Sequence, residues 1–153
     1  MRIERGTRVL VDTNVLLEAT DEGRKHHQRA LELFQNASEA GVDLFLGTQV
    51  IREYLVVSTR PVTNNGLGMD VTSALDNIGR FRRRASLIAE TVQAGELFLT
   101  WAARFGICGK RLHDLQLLAS ASVAGMDGLV TANEGDFPET GSIRILPLSL
   151  LKW

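Results

Sequence analysis

Residues 8–17 read RVLVDTNVLL, an apolar run that breaks on Asp12, Thr13 and Asn14 and then resumes. Arg8 to Val11 reads as a buried strand, its Val9, Leu10 and Val11 forming the continuous apolar run of a strand covered on both faces. Val15 to Ala19 opens a short helix. A strand passing at once into a helix is the first half of a βα unit. The carboxylate at the junction has two readings. Aspartate is a good helix N-cap, because its oxygen accepts from the free amides of the first turn. In an open α/β sheet, however, ligands gather outside the carboxyl ends of the strands, and Asp12 stands at such an end.

The rest of the chain repeats the alternation. Lys25 to Ala40 is predicted helical, with Ala30, Leu31, Phe34 and Ala37 at helical spacing and Gly41 as its stop. Leu44 to Leu46 is a second strand, and Thr48 is placed to cap a helix over Gln49–Ser58. Residues 60–68, with Pro61, Asn64, Asn65, Gly66 and Gly68, read as a loop. Asp70 caps a helix whose stripe is Val71, Ala74, Leu75, Ile78 and Phe81. A short strand follows at Leu87–Ala89. Val92 to Arg104 is helical up to Gly106, its Phe98, Trp101 and Phe105 reading as core rather than as a base-stacking platform. Leu112 to Ala124 is a helix stopped by Gly125. Gly128–Thr131 and Ile143–Leu146 are the last strands. Strands separated by helices pair in parallel through right-handed crossovers. The expected fold is therefore α/β, a three-layer α/β/α sandwich with a mainly parallel sheet, built as a single domain over residues 1–153.

Composition narrows the class. Of 153 residues, 44% are hydrophobic and 23% charged, with only three prolines, which suits a globular chain with one core. No apolar stretch approaches the roughly 18 residues that span a bilayer, and Met1 to Gly6 lacks a signal-peptide core. The lone Cys108 excludes an intrachain disulfide and suits a reducing compartment; a cytoplasmic location is the expectation. A net charge of −1 does not advertise a nucleic-acid binder, so any such surface must be local.

Four acids then fall on one side of the expected sheet. Asp12 ends the first strand, Glu53 lies a turn into the helix after the second, Asp114 is in the first turn of the helix near Leu112, and Asp136 follows GLVT in the stretch TANEGDF. Each alone has an ordinary explanation as a cap, a first-turn acid, a solvated helix acid or a turn residue. Together they repel: two carboxylates ~4 Å apart do so by roughly 4 kcal/mol at an effective dielectric of ~20. No buried lysine is evident beside them. A hard divalent cation with oxygen ligands resolves the conflict, Mg²⁺ or Mn²⁺ rather than zinc. Thr13, Asn14, Thr131 and Asn133 surround the acids and are placed to orient the carboxylates by hydrogen bonding. The adjacent His26 and His27 point apart on a helix, and Cys108 and His113 lack a partner pair, so zinc has little support.

VLVDTNVLL, TQVIREYLVVSTRP, GKRLHDLQLLASA and LVTANEGDF, taken in order, resemble the successive motifs of the PIN-domain nucleases, over about Val9 to Leu146. STRPVTNNGLGM further resembles the toxin half of VapBC-type toxin–antitoxin pairs. The resemblance implies a metal-dependent endoribonuclease, metal binding at Asp12 and Asp114, acidic site roles at Glu53 and Asp136, a homodimer and a small antitoxin. In the family an acid often stands where this chain has Asn133, which leaves Asp136 to supply that charge. One or two ions are expected. With two, about 3.5–4 Å apart, Glu53 or Asp136 would be shared; with one, Glu53 or Asp136 would serve as general base.

An acidic pocket repels phosphate, so positive charge must flank it. RFRRR supplies Arg80, Arg82, Arg83 and Arg84, and Arg52, Arg60, Lys110 and Arg111 adjoin the motifs. Arg52, Arg80, Arg82, Arg83, Arg84, Lys110 and Arg111 are the expected RNA contacts, against the alternatives of a solvated helix end or a surface for an acidic antitoxin. Two rival functions remain: a PIN domain that binds RNA or a partner without cutting, and a phospho-acceptor receiver. The receiver is disfavoured by the single acid of VDTN and by a last strand, IRIL, that ends at Pro147 without a lysine.

Overall fold

The computed structural model describes residues 1–153. Five strands form one sheet: β1 (Arg8–Val11), β2 (Asp43–Gly47), β3 (Ala85–Ile88), β4 (Gly128–Thr131) and β5 (Arg144–Pro147). Their order is β3-β2-β1-β4-β5, and every pairing is parallel. β1 is central, with Val9 set against Leu44 on one side and Gly128 on the other. That is why Val9, Leu10 and Val11 are fully shielded and why the only polar residue of the strand is Arg8 at its start.

Six helices flank the sheet: α1 (Thr13–Thr20), α2 (His27–Asn36), α3 (Thr48–Thr59), α4 (Val71–Arg82), α5 (Val92–Phe105) and α6 (Arg111–Val123). α1 packs on α2 and α3, α3 on α4, and α5 on α6. Right-handed crossovers place the first four against one face and the last two against the other, which is the expected three-layer sandwich. The core joins Leu10, Leu16, Leu33, Leu46, Tyr54, Leu118 and Leu129 across both faces. No helix is long and apolar enough to cross a membrane. The sheet order differs from the 2-1-3-4-5 order of receiver domains, which removes that rival.

Several boundaries differ from the sequence reading. The second helix is shorter than Lys25–Ala40, because Ala37 to Gly41 turns to deliver Asp43 to β2, with Val42 N–H donating to the Ala37 carbonyl at 2.8 Å. Thr48 is not a cap: Gly47 takes that place and α3 has no side-chain cap. Asp70 does cap α4, its Oδ1 accepting from Ser73 N–H at 3.0 Å. The α4 stripe is only partly buried. Ala74 and Ile78 face inward, whereas Val71 and Leu75 are 59% and 51% exposed, since α4 covers the last strand of the sheet and has little beyond it to pack on. The third strand begins two residues before the expected Leu87, in register with Leu44. Trp101 is buried and Phe98 and Phe105 pack against the core, as expected. Gly106 takes the left-handed conformation (φ 61°) that ends α5.

Candidate active site

The chain lays β1, β2 and β3 outward in one direction and then returns to place β4 on the other side of β1. The reversal opens a crevice between the carboxyl ends of β1 and β4, the position at which such sheets bind ligands. Asp12 and Thr131 face each other across it. Asp12 occupies the N-cap position of α1, with extended backbone, but its side chain makes no capping bond. Its Oδ2 instead accepts from the Thr131 hydroxyl at 2.7 Å, in a buried contact. The carboxylate that ends the first strand therefore serves the crevice and not the helix.

Thr131 is held to that task. Asn14 Nδ2 donates to Thr131 Oγ1 at 3.1 Å and Asn133 backbone N–H donates to it at 3.0 Å. With two donors on its lone pairs, the hydroxyl has one proton to give, and Asp12 receives it. Asn14 Oδ1 accepts from Ala132 N–H at 2.9 Å, which locks the β4 exit against α1. Asn133 thus contributes through its backbone, and its side chain stands exposed. Thr131→Val should destabilise the fold by about 2 kcal/mol at pH 8, the loss of a hydrogen bond to a charged group, and by less below pH 6. Equal losses in denaturant titrations at both pH values would contradict the assignment.

Glu53 sits on α3, with both oxygens engaged. Thr13 Oγ1 donates to Oε2 at 2.9 Å, and Gln49 Nε2 donates to Oε1 at 2.8 Å. The same Gln49 nitrogen donates to the His113 carbonyl at 2.9 Å. Both partners are acceptors only, so the amide must turn its NH₂ toward them, which leaves Gln49 Oε1 buried without a partner. Gln49 ties α3 to the first turn of α6. Sequence reading missed it, although its i,i+4 spacing from Glu53 was a usable signal.

Asp114 is half-buried in that first turn of α6. Burial, followed by the negative charges of Asp12, Asp136 and Glu53, pushes its carboxyl up to about 7 against the opposing Arg111. Burial also raises Asp12 to about 6, although Thr131 donates to it. Asp114 therefore lies within electrostatic reach of the other three sequence-predicted acids. As they stand, no three Asp, Glu, His or Cys side chains converge closely enough to hold a metal ion. Asp12 and Glu53 are pinned, whereas Asp114 and the exposed Asp136 make no side-chain hydrogen bond and can rotate. The donor chemistry is all oxygen and the excess charge is negative, which fits a hard divalent cation. His27 Nδ1 lies 2.8 Å from the Glu18 carbonyl, and Cys108 is exposed.

The basic residues divide between two edges. Lys110 and Arg111 open α6 beside Asp114, and Arg52 Nη2 lies 3.5 Å from Glu90 Oε1 past the end of β3, so these three flank the acids. Arg60 is committed to its own loop through the Asn65 carbonyl at 2.9 Å. Arg82, Arg83 and Arg84 come immediately before β3 and share a groove with Asp43, the first residue of β2. They lie, with Arg80 a turn earlier in α4, toward the amino edge of the sheet, opposite the acids. The expectation that they ring the acidic pocket is therefore corrected: a residue that precedes a parallel strand belongs to the edge that the carboxylates do not occupy.

No family model and no curated protein sequence matches the chain. Solved structures do share its fold. VapBC-1 from nontypeable Haemophilus influenzae matches with a TM-score of 0.68 at 14% identity, over 94% of this chain and 99% of that one. VapBC2 from Rickettsia felis, bound to a DNA fragment from its promoter, matches at 0.66 and 16%, over 92% and 98%. The Mycobacterium tuberculosis VapC20, a sarcin–ricin loop cleaving toxin, matches at 0.62 and 15%, over 79% and 86%. The chain has the PIN-like fold of VapC toxins.

Proposed function

We propose, from the fold shared with these VapC structures, that the chain is a Mg²⁺- or Mn²⁺-dependent endoribonuclease acting as the toxin of a toxin–antitoxin pair. The observation that carries this reading is the gathering of Asp12, Glu53, Asp114 and Asp136 at the β1/β4 switch point, a repulsion that Arg111 offsets only in part. Asp12 and Asp114 would hold the ion, with Asp136 swinging inward to complete the set. When bound, the ion supplies Lewis-acid charge to a scissile phosphate and to attacking water. Glu53, fixed as an acceptor by Thr13 and Gln49, is positioned to take a proton. Lys110, Arg111 and Arg52 would steer phosphate toward the acids. One or two ions, a homodimer and a small antitoxin covering the acidic edge belong to the same reading.

Direct attack of water leaves a 5′-phosphate and a 3′-hydroxyl. Total RNA incubated with Mn²⁺ or with EDTA, followed by mapping of the new ends, tests this. Cleavage only with metal and 5′-phosphate ends are expected. Ends carrying a 2′,3′-cyclic phosphate, or equal cleavage in EDTA, would overturn it. The open arrangement of the four acids favours one other reading, a PIN domain that binds RNA or a partner without cutting; intact RNA under every metal condition would establish that instead.

A further inference from the structure

The largest groove of the molecule is not at the acids. It lies at the amino edge of β2 and β3, has a volume of about 670 Å³, and is lined by Arg82, Arg83 and Arg84 together with Ser38, Asp43 and Ser86. The three arginines are exposed. The ion pairs of the chain engage Arg24, Arg29, Arg52 and His113 and leave all three unpaired. Arg83 and Arg84 also reach an adjoining groove that contains Arg80. Complementing the dipole at the end of α4 needs positive charge only within its last turn, and Arg80 and Arg82 already stand there. Arg83 and Arg84 lie beyond it and open onto the grooves.

We propose that this groove is a second phosphate-binding surface, which grips the backbone of an RNA extending well past the cleavage point. The inference rests on the ribonuclease reading above. Guanidiniums are planar, permanently charged and suited to bidentate phosphate contact. The three guanidiniums, Ser38 and Ser86 give the groove a polar, positive rim around the partly exposed Phe45 and Leu87, in keeping with nucleic-acid interfaces, which are more positive than protein interfaces. Strands of four or five residues at about 3.3 Å each separate the two edges by about 15 Å. At the roughly 3.4 Å rise of a stacked strand, an RNA must be at least about five nucleotides longer than the acidic site needs in order to touch both. The geometry thus makes affinity depend on substrate length.

The test compares the wild-type chain with the triple variant Arg82→Gln, Arg83→Gln, Arg84→Gln. Binding of a 6-nucleotide and a 40-nucleotide RNA is followed by fluorescence anisotropy in EDTA over a range of salt, with circular dichroism to verify folding. For the 40-mer, the slope of log affinity against log salt should flatten by about 2, since three phosphate contacts on single strands contribute about 0.7 each. A 6-mer can sit in the groove alone, so its slope should flatten as well, but it cannot reach both edges and should bind the wild-type chain more weakly than the 40-mer. An unchanged slope for the 40-mer, or a 6-mer bound by the wild-type chain as tightly as the 40-mer, overturns the proposal. So does an unchanged RNA slope in a variant that has lost affinity for a poly-glutamate peptide, which would assign the groove to an acidic protein. A wild-type parallel with Mn²⁺ separates the two readings. Cleavage with an unchanged slope removes the groove alone, while the expected slope change without cleavage removes the nuclease.

Discussion

Asp12→Asn is expected to abolish RNA cleavage and, at the same time, to make the metal-free protein more stable at pH 8. The activity loss follows from removing the buried charge of the pair that would hold the ion. An interaction of several kcal/mol with the reacting phosphate, at tenfold per 1.36 kcal/mol, implies a decrease of about a thousandfold or more. The stability gain follows from the same burial. At pH 8 the folded chain must ionise a carboxyl raised to about 6 from the ordinary 3.8, a penalty of about 3 kcal/mol relative to the unfolded chain. Asparagine carries no such penalty, and its amide oxygen still accepts from Thr131. For a chain of this size the gain corresponds to about 6–12 °C in Tm. Few substitutions in a buried polar cluster stabilise a protein, so a variant that is inactive and more stable would mark Asp12 as a functional charge. Cleavage within tenfold of wild type, or a lower Tm at pH 8 in EDTA, would refute the assignment.

The second large effect is a dependence of stability on pH that metal reverses. Both Asp12 and Asp114 bind their protons more tightly in the folded chain, at about 6 and about 7, than in the unfolded chain at 3.8. Their favourable contribution is fully present below pH 4 and is lost as pH rises through 6 and 7. Other groups titrate in the same range, so the diagnostic quantity is the difference between wild type and Asp12→Asn: in EDTA it should widen from pH 4 to pH 7 and then level off. Saturating Mn²⁺ should raise the wild-type Tm at pH 7.5, with a gain of about 2.7 kcal/mol at a hundredfold excess over Kd. The gain should shrink toward pH 5, where protons compete for the same oxygens. Differential scanning fluorimetry reads all three arms. A Tm insensitive to Mn²⁺ at pH 7.5, or a gain that grows toward pH 5, would contradict a cation held by these acids.

The strands β1 and β4 were legible in sequence because each is an unbroken apolar run ended by a small polar residue, a pattern that only a central parallel strand needs. From these two strands the edge that collects Asp12, Glu53, Asp114 and Asp136 followed directly. The end of the second helix was not legible. Ala37 to Ala40 has helical composition, and only the need to reach Asp43 breaks it. The role of Gln49 was hidden because it depends on the His113 carbonyl, 64 residues away, which no local pattern reports. The arginine run misled for a different reason. Its charge was read correctly, but its edge depends on chain direction: Arg82 to Arg84 come just before a strand, whereas Asp12, Glu53 and Asp136 come just after one.

The site draws on positions 12, 53, 114 and 136 of a 153-residue chain, and its central hydrogen bond joins residues 119 apart. Threonine 131 belongs to the fourth strand, so nothing that the ribosome has extruded before that strand can hold Asp12 in place. At about 5–20 residues per second, the 119 residues from Asp12 to Thr131 take about 6–24 s to emerge, and the carboxylates stay dispersed throughout. Under the ribonuclease reading proposed above, the site cannot act until β4 has emerged and folded against β1.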